Sequence, residues 1–217
     1  MLAGLAAGAV LFAAPDGQGA AATPSRPAPR PERIHFDVVR SGAVIGTHDV
    51  DFSTGAAGLS VRTHINIAVT LLGVNVFEFR HDGTEVWKND RLVSFDSKTH
   101  DDDSDFFVIG RATSNGFAIT NKKGNLMAPA DIMVGSFWRP AIAQQTQLID
   151  PQRGRIKEQQ RLGEDTIEVL VRGETIKATR YRVSGVTDGW VAYDAHNRWV
   201  AAELQKKGSA ILYRLPA

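Results

Sequence analysis

Six histidines, His35, His48, His64, His81, His100 and His196, are the side chains of this sequence with the widest chemical range, able to ligate metals and to move protons near neutral pH. No two of them stand four apart, as helical zinc motifs require. His35, His48 and His64 fall on three successive alternating runs, and convergence on one ion would need them on one face. His48, however, shares the parity of Val50 and Phe52, whereas His64 opposes that of Ile65 and Ile67, so their side chains point to different faces and no metal site is expected. The run Asp101, Asp102, Asp103, Ser104, Asp105 carries oxygen ligands suited to a hard cation such as calcium. It lacks the spaced Asp-x-Asp-x-Asp-Gly loop with a distant Glu, and a solvated hairpin tip is the expectation.

The chain has no cysteine, which excludes disulfides, thiolate metal sites, a cysteine nucleophile and an acylated cysteine. There is no G-x-S-x-G elbow, phosphate-cradling glycine loop or paired-carboxylate signature, so no catalytic residue and no cofactor is assigned. His48, Asp49 and Asp51 are the acid-base candidates for a rival reading, an envelope hydrolase acting on a lipid or glycan.

The remaining candidates are bulky apolar residues. Phe77, Phe79, Trp87, Phe95, Met133, Phe137, Trp138 and Trp190 are read as a ligand-binding set on a concave face, with ordinary core packing as the plainer reading.

The elements that must position them are mostly strands. Arg33 to Arg40 alternates Ile34, Phe36 and Val38 against Arg33, His35 and Asp37, Ser41-Gly42 turns, and Val44 to Phe52 returns. Leu59 to Leu71 keeps period two over a long run, and further strands are predicted at Val74–His81, Thr84–Lys88, Leu92–Thr99, Phe106–Arg111 and Phe117–Thr120. Asp82-Gly83 reads as a two-residue hairpin between two of them. Beyond Asp150 the same grammar gives Arg155–Leu162, Thr166–Val171, Thr175–Val183, Gly189–Tyr193, Arg198–Lys206 and Ser209–Leu215, with a turn at Gly163. Links this short force antiparallel pairing. The expectation is a mainly β protein, a large curved antiparallel sheet or open β-barrel of about 14 strands, with one helix as plug or lid. That helix is placed at about 136–149, capped by Ser136 with Pro140 in its first turn.

The N-terminus reads as a probable signal peptide over 1–22, apolar from Leu2 to Ala14 and ending Ala20-Ala21-Ala22, though no basic residue precedes Arg26. A proline-rich linker occupies 23–32, and a single β domain 33–217. A periplasmic or secreted location is the corresponding expectation. With 25 basic and 24 acidic side chains the net charge is +1, so no nucleic-acid partner is expected. Basic residues near turns, among them Arg153 and Lys157, suit a solvated rim or peripheral contact with anionic membrane headgroups.

Glu85-Val86-Trp87, then Leu92, Ser94 and Thr99, Ser136-Phe137-Trp138, Tyr181, and Trp190-Val191-Ala192-Tyr193-Asp194 resemble an uncharacterised family of exported bacterial proteins, a domain of unknown function, over roughly Ile34 to Leu215. More loosely, the layout is similar to the half-barrel of periplasmic lipoprotein carriers and lipid-binding proteins, where a curved sheet and helices enclose an apolar cavity. The function expected is an exported, non-enzymatic envelope protein that binds a lipid or other hydrophobic or amphipathic small molecule. The alternatives are the hydrolase above and a structural module that presents a strand edge to an envelope protein partner.

Overall fold

The computed structural model describes residues 33–71, 74–206 and 208–216; the expected signal peptide and proline-rich linker lie outside them. The first half is a meander of eight strands: β1 (Arg33–Arg40), β2 (Ala43–Gly55), β3 (Gly58–Leu71), β4 (Val74–Lys88), β5 (Arg91–Asp101), β6 (Ser104–Thr113), β7 (Gly116–Asn121) and β8 (Gly124–Ala128). A short strap comes next, made of β9 (Met133–Val134), α1 (Pro140–Ala143), β10 (Gln147–Ile149) and β11 (Ile156–Glu158). The second half is β12 (Gln160–Val171), β13 (Glu174–Ser184), β14 (Asp188–Tyr193), β15 (Trp199–Lys206) and β16 (Ser209–Arg214).

The two halves form one antiparallel sheet of 13 strands, ordered β12-β13-β14-β15-β16-β1-β2-β3-β4-β5-β6-β7-β8. The first strand thus lies centrally, paired to the last through Val38↔Tyr213 and to β2 through Phe36↔His48. β12 and β8 remain as the two edges, so the sheet curves without closing, as expected of an open barrel.

Period-two patterning sets one concave, buried face. A single cross-strand row on it runs from His48 to Ile65, His81 and Thr99. Phe36, Val38, Val50, Val61, Phe95, Phe117 and Ile119 belong to the same face and are essentially inaccessible to solvent. The strap lies across it, with Val134, Ile142, Ala143, Leu148 and Ile149 fully buried in the same core. Polar residues on the inner parity are there to hold it: Ser97 donates to the Pro151 carbonyl at 2.7 Å and Asn121 to that of Gly154 at 2.9 Å. Buried hydrogen bonds of this kind satisfy strap carbonyls that would otherwise lack partners.

Three details differ from the sequence reading. The helix expected over 136–149 is a single turn, Pro140–Ala143, capped at Arg139 in extended conformation with no side-chain bond. Ser136 does not cap it; its hydroxyl approaches the Val134 carbonyl, and Phe137 turns the chain with φ 54°. The helical turn leads into β10, which pairs parallel to β9 through Leu148↔Met133 and antiparallel to β11, so strand pairing takes residues that helix periodicity had claimed.

Asp82-Gly83 is no hairpin, because β4 runs unbroken for 15 residues. Gly83 sits between Thr63 and Ser97 in the ladder, and a Cβ there would stand 3.1 Å from His81 Nε2 and 3.6 Å from the Phe95 ring. The glycine marks a close approach inside a strand, not a turn. Gly163 is likewise no turn: it pairs with Arg182 inside β12, next to a bulge at Leu162, and a side chain there would collide with the Arg182 guanidinium.

Candidate functional site

Between the concave face and the strap lies a cavity of about 290 Å³. Its apolar wall is built from period-two positions on β3 and β4, namely Ile65, Ile67, Val69, Phe77 and Phe79, with Ile45 from a bulge in β2, Phe95 from β5 and Phe137 from the strap. Arg40, Gln205 and Lys206 are its exposed lining residues, whereas His48, Thr63, His81, Glu85, Trp199 and Tyr213 are buried.

Of the eight aromatic and methionine candidates, four line this cavity: Phe77, Phe79, Phe95 and Phe137. Trp87, Trp138 and Met133 do not. They belong to the packing that joins strap to sheet, where Trp87 and Trp138 meet edge to face at 5.9 Å and the Arg139 guanidinium lies over both rings. Trp190 is on the opposite face altogether, paired to Arg182 and Glu203 and packed on a small cluster of Ala178, Ala192, Val200 and Ala201. Strand alternation places Val191 and Tyr193 inward, and Trp190 between them must point out.

The most unusual group at the site is a carboxyl to which the sequence reading gives no role. Glu85 is 2% exposed and lies on the same inner parity as Gly83 and Trp87. Its Oε2 accepts from Trp87 Nε1 at 2.8 Å and from Trp138 Nε1 at 3.4 Å. Burial pushes its pKa up to about 7, against the opposing pull of hydrogen bonds from Ser136 and the two indoles and of the Arg139 charge. The signal for it is a glutamate in register with apolar residues, obscured when Asp82-Gly83 is read as the end of the strand.

Two histidines also face inward and are held neutral. Burial pushes His48 down to about 3, and it sits among the rings of Phe36, Trp199 and Tyr213 with neither ring nitrogen partnered. His81, pushed down to about 4 chiefly by burial, shares a 2.8 Å hydrogen bond with the Thr99 hydroxyl. Of the acid-base candidates only His48 lines the cavity: Asp49 and Asp51 lie on the other side of β2, where Asp49 binds Arg33 and His35 at 2.6 and 2.5 Å. His64 pairs with Asp82 and His100 with Asp105 at the surface, and no cluster of metal-ligating residues occurs among the described residues.

The chain belongs to the family described as Domain of unknown function (DUF6134), whose model matches residues 36–216. No curated protein matches it. Among solved structures it is similar to a beta-barrel-like protein of Domain of Unknown Function DUF1849 from Brucella abortus, with 11% identity, a TM-score of 0.57, and coverage of 85% of this chain and 94% of that one. At that identity the likeness concerns the fold, and a shared fold does not carry a function with it.

Proposed function

We propose that this is an exported, non-enzymatic binding protein of the cell envelope, holding a hydrophobic or amphipathic, lipid-like ligand between its concave face and the strap. The cavity carries the reading. A wall of branched aliphatic and aromatic side chains is open to solvent at one end and interrupted by a few placed polar groups, which is how small-molecule sites are built, and about 290 Å³ stands at the lower end of their usual size. The leader-like sequence over 1–22 supports the export half of the proposal. The competing hydrolase reading has no comparable support, since Asp49 and Asp51 face away from His48.

Native mass spectrometry of the protein purified from its own host tests this. The expected spectrum contains adducts that organic extraction removes. Protein that emerges empty, and that afterwards takes up neither a fatty acid nor a fatty alcohol, would overturn the proposal.

A further inference from the structure

The cavity has a direction. In the antiparallel order of the sheet, the turns β1–β2, β5–β6, β7–β8 and β13–β14 and the last residues of β15 all fall at one end. The exposed lining residues Arg40, Gln205 and Lys206 gather at that end, so it is the mouth. Lys206 stands across from Ser209, whose hydroxyl accepts from Arg40 Nη2 at 2.9 Å, which brings two cationic residues to one lip. Neither has a carboxylate partner among the described residues. Lys157 lines the same space from the strap, but the Asp188 carboxylate lies close enough to feel its charge. Arg153 does too, but it is engaged by Asp101 at 2.7 Å.

The carboxylates at this end lie outside the cavity lining or are already engaged: Asp188 accepts from the Ser184 hydroxyl and the Gly185 amide and faces Lys157. The acidic lining residues are Glu85 and Asp150, both buried, and Asp150 is occupied by the amides of Gln152 and Arg153. The exposed Asp102, Asp103 and Asp105 of the β5–β6 tip are not among the lining residues. Inside, His48 and His81 are neutral at physiological pH, and Glu85 can offer an anion no counter-charge. An ionised head therefore finds its counter-charges only at the lip, while the interior offers apolar surface to a tail.

We infer that the ligand is an anionic amphiphile with a single charged head, such as a long-chain carboxylate, seated tail inward with its head between Arg40 and Lys206. This rests on the binding reading above and names its ligand class.

The test is calorimetric titration of the delipidated full chain with dodecanoate and with dodecanol, which share a tail and differ in charge. Dodecanoate should bind roughly five-fold or more tightly, the amount two partly exposed ion pairs provide, and its advantage should shrink as salt is added. Arg40→Gln together with Lys206→Gln, both at exposed positions, should weaken dodecanoate until the two affinities meet. Equal binding of both ligands overturns the anionic assignment, and a preference that survives the double substitution overturns the placement of the head at Arg40 and Lys206; either leaves the binding reading standing. Failure of both ligands to bind overturns the two together.

Discussion

Trp87 on β4 and Trp138 in the strap meet edge to face, ring centroids 5.9 Å apart, and their indole N–H groups both donate to one oxygen of Glu85. This contact fastens strap to sheet. Trp138 is 3% exposed, so Trp138→Ala leaves a cavity the size of an indole, and the expected loss is about 3 to 5 kcal/mol in urea unfolding with unchanged slope. A loss below about 1 kcal/mol accompanied by failure to retain ligand would make the strap a gate instead of a plug.

Glu85 makes stability depend on pH with a definite sign. Its folded pKa of about 7 stands above the ordinary 4.5, so the folded state binds the proton more tightly and stability falls as pH rises from 4.5 to 7. Glu85→Gln keeps an acceptor for the indoles and removes the charge. The difference between variant and parent should grow across that window to a gain on the order of 3 kcal/mol above pH 7, a comparison in which the histidines cancel. A difference that is flat with pH would show the carboxyl to be ordinary.

His48 acts in the opposite sense. Its folded pKa of about 3 lies below the ordinary 6.5, so the stability tied to its neutral form is complete above 6.5 and is lost as pH falls toward 3. His48→Phe keeps a ring among Phe36, Trp199 and Tyr213 and removes two unpartnered nitrogens. The acid-unfolding midpoint followed by circular dichroism should move to lower pH, with no loss at pH 7. Destabilisation at pH 7 by more than about 2 kcal/mol would mean that those nitrogens bind something in the folded state.

The strands were legible because the sheet is half buried, so alternation from Arg33 to Phe52 and from Leu59 to Leu71 survives in the residues themselves. The strap was not, because Gln147–Ile149 is too short to show a period and owes its strand form to Met133 and Ile156 across from it. Half of the aromatic set reaches the cavity for a similar reason: Phe77 and Phe79 follow from parity within one strand, while Trp190 required knowing which parity of β14 faces inward. The polar members of the site, Glu85, His48 and His81, share the parity of apolar neighbours. Read as buried groups, they were available in the sequence.

Glycines separate close approach from turn geometry. Gly46 is where β2 passes so near β3 that a Cβ would stand 2.0 Å from the Asn66 carbonyl oxygen, whereas at Gly55 nothing lies within 4 Å. Gly46→Ala must move backbone, and about 3 kcal/mol or more should be lost, while Gly55→Ala should stay within about 0.5 kcal/mol of the parent. Equal effects at the two positions in thermal unfolding would refute the close packing of β2 on β3.

The cavity itself can be filled from one wall. Ile67 is half-buried and faces the void between Gly46 and Phe79 in the ladder, so Ile67→Trp places a larger apolar ring where a ligand tail would lie. Because the added volume enters existing space, the change in stability should remain within about 1 kcal/mol, unlike overpacking of a solid core. Uptake of dodecanoate should nevertheless be lost. Trp190→Ala is the matching control: that ring lies on the outer face against Ala192 and Ala201, and its removal should leave uptake unaltered even where it lowers stability. Uptake that survives Ile67→Trp but fails in Trp190→Ala would move the binding surface to the other side of the sheet.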